Sequence, residues 1–383
     1  MPRLSKDKSR LTYYATDERF LEHATQYQMK TIDWPPKPDS SGKYSKNVIG
    51  FVEEYPAEDA PHAGLHGYEM HICKSNYLGN SNRYYVLQSM IRGQYRVYIA
   101  DLEKQDSLRW LNFLDKVPEH FREGEYQLLK AVGNFIFVSY SQNNQPPKLY
   151  CLVAEGIEEA KSSDEIKFTP VLLDEVTFDE SIQKEINSIQ TDVVRLENGA
   201  EGYLIRLGDD RLPNSFASGA PSGKHPIVTM AHGGPFTAFS RDLFNINYIY
   251  QVLQGYCLFI INYQGSTGYG RKFLHRLLGG YGTLEVDDCA NLTKKAIADF
   301  GHIVDGDMAC VQGLSYGGNM TAQLTSHPEY KDMWKSAVAW NPILDAHFNS
   351  LTSDIKDWAF ATIMNRPMTS FKDYTKEDMI LCQ

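Results

Sequence analysis

The chain changes rhythm once, and that change limits what it can fold into. From Leu11 to about Val176 the apolar residues come in short runs rich in Tyr, Val, Ile and Phe, set apart by polar turns. Tyr84–Met90, Tyr95–Leu102, Leu108–Phe113, Tyr126–Val132, Phe135–Tyr140, Lys148–Val153 and Lys167–Leu173 read as strands. The turns between them are Arg92-Gly93, Gly133-Asn134 and Asn143-Asn144-Gln145-Pro146-Pro147. Asp192–Leu207 reads as a hairpin, with Gly199 near its turn, and a Gly/Ser/Pro-rich connector follows from Gly208 to Lys224. Beyond it strands alternate with helices. Pro226–Ala231, Tyr256–Tyr263, Met308–Gln312 and Lys335–Trp340 are the strands; Arg241–Leu253, Thr283–Phe300 and Asn319–Ser326 are the helices.

Such alternation means a parallel, doubly wound sheet with helices on both faces, which binds ligands at the carboxyl ends of its strands. Grouped in fours, the earlier strands recur every ~40–50 residues, the size of a propeller blade, although a β-sandwich fits the pattern as well. At that spacing ~190 residues supply about four blades, fewer than a closed ring of the usual size. The expected division is therefore a partial β-propeller over residues 1–190 and an α/β domain over 191–383.

A formal net charge of −10 argues against nucleic acid or an anionic membrane as the main partner, since both call for a basic face. The six cysteines form no C-x-x-C pair and several sit in apolar runs, so they read as reduced and structural, with no metal and no cofactor expected. The charged N-terminus lacks an apolar h-region and no apolar run could span a bilayer, which places the chain in the cytoplasm.

Chemistry enters at Gly313-Leu314-Ser315-Tyr316-Gly317-Gly318, between a strand and a helix. In that setting G-x-S-x-G is a nucleophile elbow: glycines permit the tight turn, and the serine hydroxyl is thrust out at the strand's end. Attack by a serine on a carbonyl creates an oxyanion that needs N–H donors. One is the backbone N–H of Tyr316; the other is assigned to Gly234, in His232-Gly233-Gly234-Pro235 directly after the strand Pro226–Ala231. His232 itself reads as a histidine that orders this loop. The loop Asn262–Gly270 has spaced glycines but no following G-K-[ST], so it is not taken for a phosphate cradle. Glu285, Asp287 and Asp288 lie in the first turn of a predicted helix and read as dipole-capping acids. The fold class is an α/β-hydrolase domain behind a β-rich partial propeller.

These motifs, with Asn341-Pro342-Ile343 and Ser353-Asp354-Ile355-Lys356-Asp357-Trp358, resemble the prolyl oligopeptidase family of serine peptidases and within it the acylaminoacyl-peptidases. The resemblance implies a cytosolic, homo-oligomeric serine hydrolase that removes an N-acylated, typically N-acetylated, residue from short peptides admitted past a propeller. Ser315 would be its nucleophile, Gly234 and Tyr316 its oxyanion donors. The family pattern is departed from at both ends. In this fold the triad Asp and His follow the serine on later loops, and the positions for them are not present in this chain. The hydrolase sheet is expected to lack its last strands. His327 ends the elbow helix, and His347, near Asp345, lies in the loop after the next strand; neither follows a final strand. As written, the chain is expected to hydrolyse poorly or not at all. The alternative is a non-catalytic pseudo-hydrolase that binds or regulates.

Overall fold

The computed structural model describes residues 2–16, 26–55, 62–66, 76–112, 124–208 and 223–345, with Phe348, Asn349, Thr352, Ser353, Phe360 and Asn365. The N-terminal half holds three antiparallel sheets. The first contains β1 (Arg3–Leu4), β2 (Arg10–Ala15), β3 (Gln26–Asp33) and β4 (Ser45–Ile49) in chain order, with β5 (Leu65–His66) paired to β3. The second is β6 (Asn76–Tyr77), β7 (Tyr84–Ile91), β8 (Gln94–Asp101) and β9 (Leu108–Trp110). The third is β10 (Glu125–Val132), β11 (Phe135–Gln142), β12 (Gln145–Glu155) and β13 (Lys167–Glu175). Between β7 and β8 the chain turns through Arg92 and Gly93, at φ 41° and 68°. Positive φ at both central residues gives the two-residue turn whose twist suits a hairpin.

Side-chain alternation stacks these sheets. On β7, Tyr85, Leu87 and Ile91 pack with Met29, Val48 and Ile49 of the first sheet. Tyr84 and Val86 pack with Tyr126, Leu128, Ile136 and Val138 of the third. The middle sheet is thus covered on both faces, and every residue of β7 is buried. Three sheets, one of five strands and two of four, stand among the described residues of this half, where length suggested about four blades. The strands run longer than counted, β12 covering eleven residues, and the helix α1 (Glu180–Asn187) takes chain the count had given to strands. Pro146 and Pro147, read as part of a turn, begin β12; they occupy its first residues, before its pairing with β13 starts at Lys148.

The second half is a six-stranded sheet of β14 (Ile189–Arg195), β15 (Glu201–Leu207), β16 (His225–Ala231), β17 (Cys257–Asn262), β18 (Val304–Leu314) and β19 (Ser336–Trp340), in the order β14-β15-β17-β16-β18-β19. It is mixed and not wholly parallel, which corrects the expectation. β16 to β19 are parallel, but the hairpin β14–β15 joins β17 antiparallel. A hairpin closed by so short a turn, with Gly199 at φ 93°, makes its own two strands antiparallel, so a sheet that takes both of them in cannot be wholly parallel.

Helices α2 (Ile246–Leu253), α3 (Arg271–His275), α4 (Leu284–Asp299) and α5 (Tyr316–Ser326) complete the unit. On β17, Cys257, Phe259 and Ile261 share a core with Cys289 and Leu292 of α4 and Met320 and Leu324 of α5. Leu258 and Ile260 pack with Ile249 and Val252 of α2 on the other face. The chain leaves β16 for β17 on one side and returns as β18 on the other, so the strand order reverses there and the carboxyl ends of β16 and β18 open a crevice.

α2 begins at Ile246, later than the expected Arg241. Asn245 caps it by accepting from the Asn247 N–H at 3.0 Å. Residues just before the cap dock on the N-terminal half instead: Arg241 N–H donates to Gly93 O at 2.6 Å and Phe244 N–H to Ser141 Oγ at 3.3 Å. Most of the connector Gly208–Lys224 lies outside the described residues. Cys151, Cys257, Cys289 and Cys310 are free thiols; Cys73 and Cys382 lie outside the described residues. Among the described residues no helix is long and apolar enough to cross a membrane.

Candidate active site

Ser315 stands between β18 and α5 at φ 59°, ψ −119°, a conformation that costs a non-glycine residue about 1–3 kcal/mol and persists only where its surroundings enforce it. Three glycines enforce it. A Cβ on Gly313 would come 2.1 Å from Gly317 O, one on Gly317 would come 2.1 Å from Ala231 O, and one on Gly318 would come 3.0 Å from Trp340 O. The start of α5 is therefore pressed against β16 and the end of β19. Ser315 N–H donates to Trp340 O at 2.8 Å. The serine is half-buried, and among the described residues none hydrogen-bonds its hydroxyl.

The loop after β16 lies alongside. A Cβ on Gly233 would come 3.4 Å from Ser315 Cβ and 3.1 Å from Leu314 O, so Gly233 is the glycine of closest approach. Sequence reasoning had singled out its neighbour. Gly234 turns the chain at φ 116°, where a Cβ would come 2.8 Å from Phe236 N. Tyr316 is the first residue of α5, so its N–H has no partner one turn back in the helix.

His232 is buried and its ring is fully engaged. Nδ1 donates to Gly233 O at 2.7 Å, Nε2 accepts from Ser266 Oγ at 2.8 Å, and the ring stacks on Tyr263 with centroids 4.2 Å apart. Burial away from water pushes its pKa down to about 4, so the ring is neutral. It orders the glycine loop and holds Ser266, which lies in the loop between β17 and α3.

That second loop, set aside as a phosphate cradle, has a structural use. Gln264 N–H donates to Asp288 at 2.8 Å, Thr267 N–H donates to Thr237 O at 3.0 Å, and Gly268 O accepts from Arg92 N–H at 3.0 Å. Arg271 and Lys272 N–H donate to Val52 O and Glu53 O, each at 2.8 Å. The N-terminal half thus grips the unit of the six-stranded sheet one loop away from Ser315.

Glu285 and Asp287 lie in the first turn of α4, as expected, but Glu285 and Asp288 are buried. Glu285 is fully buried; it accepts from Gly282 N–H at 2.6 Å and from the Tyr316 hydroxyl. Asp288 is 2% exposed and also accepts from Asn198 Nδ2 at 2.7 Å. Burial raises both carboxyls above their ordinary range. Asp287, which takes the Tyr330 hydroxyl at 2.7 Å, is exposed. The burial of Glu285 depends on α5 and the Tyr281 segment, which no local pattern reports.

Of the two histidines weighed after the serine, His327 is not brought to it. His327 caps the far end of α5, stacked on Tyr330 at 4.5 Å. His347 lies outside the described residues, while Asp345 accepts from the Phe348 N–H at 2.7 Å, as a helix-start residue does. Among the described residues no group of His, Cys, Asp and Glu could hold a metal ion.

Residues 244–378, which contain the elbow, match the model of the prolyl oligopeptidase family. Acylamino-acid-releasing enzyme 1 of Oryza sativa subsp. japonica is 30% identical over 169 residues, covering 44% of this chain and 21% of that protein. The human acylamino-acid-releasing enzyme is 28% identical over 142 residues, covering 37% of this chain and 19% of its own length. Among solved structures, puromycin hydrolase superposes with a TM-score of 0.62 at 18% identity, over 100% of this chain and 58% of that one. The Pyrococcus horikoshii acylaminoacyl peptidase superposes at 0.58 and 15% identity, over 97% and 56%. These two likenesses show the fold, and they extend across the N-terminal sheets as well as the prolyl oligopeptidase segment. The chain spans about a fifth of the length of the curated relatives it matches.

Proposed function

We propose that the chain carries the active-site half of a serine peptidase of acylaminoacyl-peptidase type, which cleaves after an N-acylated residue of a short peptide with Ser315 as nucleophile. The observation that carries this is the elbow: a serine at positive φ, pinned by three glycines, with a glycine loop against its side chain. A carbonyl carbon attacked by Ser315 Oγ would place its oxygen between the elbow and that loop, where the N–H groups of Tyr316 and Gly234 serve as donors. The three stacked sheets act as a partial propeller whose docking on the glycine loops narrows entry to short, blocked peptides.

A second reading is favoured by one observation. The Ser315 hydroxyl has no imidazole against it among the described residues. Without a base to take its proton the serine is a weak nucleophile, and the protein then binds acylated peptides without turning them over. Hydrolysis of an N-acetyl-alanyl peptide, measured for the wild type and Ser315→Ala, separates the readings. Turnover lost in the variant supports the peptidase. Peptide binding without turnover supports the binding protein, and turnover untouched by Ser315→Ala overturns the role given to Ser315.

A further inference from the structure

Glu285 is a buried acid that the chemistry of Ser315 does not use, yet it sits behind both arms of the site. Its carboxylate receives the hydroxyl of Tyr316, the residue directly after the nucleophile, and the N–H of Gly282 at 2.6 Å. The Tyr316 ring meets Tyr281 edge-on at 5.2 Å and is tilted against Tyr263 at 6.3 Å. Tyr263 in turn stacks on His232 at 4.2 Å and donates its hydroxyl to His232 O at 2.9 Å. One buried row of rings, Tyr281, Tyr316, Tyr263 and His232, therefore runs from the elbow to the loop of Gly233 and Gly234. Gly282, bound to the same carboxylate, packs against Gln323 of α5, where a Cβ would come within 3.0 Å.

A fully buried acid is costly to retain, and an apolar side chain of the same volume would fill the space without that cost. What an apolar residue could not supply is a fixed acceptor at the root of the row. We infer that Glu285 is the positioning residue of the oxyanion site, holding Tyr316 and, through Tyr263 and His232, the facing glycine loop in register around Ser315. It acts through Tyr316 and does not touch the reacting carbonyl. Glutamine keeps an oxygen that can accept from Tyr316 and Gly282, whereas methionine keeps the volume without the acceptor.

This inference rests on the reading of Ser315 as nucleophile, and the test keeps the two apart. The rate at which a fluorophosphonate labels Ser315 is measured for the full chain, Glu285→Gln, Glu285→Met, Tyr316→Phe and the pair Glu285→Met/Tyr316→Phe, with Ser315→Ala as blank. Amide hydrogen exchange is followed in the same proteins over residues 313–318, with residues 249–252 of α2 as reference. Glu285→Gln is expected within about twofold of the wild type, and Glu285→Met and Tyr316→Phe slower by about tenfold or more, because small displacements at a reacting centre are expensive. The double variant is expected to be no slower than either single one, since both remove the same contact. Exchange at 313–318 is expected to quicken in Glu285→Met but not in Glu285→Gln, with 249–252 unchanged. Equal behaviour of Gln and Met, or full additivity in the pair, would overturn the inference. An unlabelled wild-type Ser315 with the exchange pattern intact would sink the nucleophile reading and leave the positioning role standing.

Discussion

Gly317→Ala tests the elbow's geometry most sharply. The added Cβ would lie 2.1 Å from Ala231 O, 2.9 Å from Ala231 C and 3.1 Å from His232 O. Ordinary contact begins near 3.4 Å, so α5 and the end of β16 must separate by about 1 Å, and every obstructing atom belongs to backbone that cannot rotate away. Overpacking of this kind costs about 1–3 kcal/mol. The upper end applies here, because β16 is central in the sheet, flanked by β17 and β18. At about 2–4 °C per kcal/mol for a cooperative unit of about 150–250 residues, the size of the unit that holds the elbow, its melting temperature should fall by about 6–12 °C. Fluorophosphonate labelling of Ser315 should fall with it, since the same movement pulls Gly233 from the serine. Gly50→Ala is the control: the new Cβ would meet Asp106 Oδ1 at an ordinary 3.6 Å, so its melting temperature should be unchanged. Scanning calorimetry on the three proteins decides. A Gly317→Ala protein that melts within a degree of the wild type and labels normally would refute the packing argument.

Three further outcomes follow from buried polar groups. Burial raises the carboxyl of Glu125 from the ordinary 4.5 to about 8, helped by nearby Asp242. The folded state then holds a proton that the unfolded chain releases, so stability should fall as pH rises from about 4.5 to about 8, by about 1.4 kcal/mol per pH unit at most. Melting curves of the wild type and Glu125→Gln should therefore diverge up to about pH 8 and run parallel above it; a constant gap would contradict the shift. His232 has the opposite sign: depressed from 6.5 to about 4, it makes stability fall as pH drops through that window, and an NMR titration should find its ring still neutral at about pH 5. Ser266→Ala leaves the buried His232 Nε2 without its donor and should cost about 1–3 kcal/mol in a melt, whereas an unchanged melt would mean another donor takes its place.

The elbow and the strand–helix rhythm were legible because local pattern carries them. Gly313, Ser315 and Gly317 announce a tight turn, and the helical segment of α4 came within a residue of the expected Thr283–Phe300 at each end. What escaped reading depends on partners distant in the chain. Residues 241–244 have helical character but bind Gly93 and Ser141, which overrides a weak local preference. The β14–β15 hairpin was visible, yet its antiparallel place beside β17 is a pairing that no local signal encodes. Glu285 looked like a first-turn cap because α4 begins there; only its enclosure by Tyr316, Tyr281 and Gly282 makes it a buried acceptor. Gly233 and Gly234 are adjacent and equally permissive, so the sequence could not say which would face the serine.

The central claim is that Ser315 is the acyl-accepting nucleophile, and peptide mapping by mass spectrometry after exposure to a fluorophosphonate tests it most directly. The account predicts a single adduct, on the peptide that contains Ser315, and none in Ser315→Ala. An unmodified Ser315, or an adduct that survives Ser315→Ala, would contradict it.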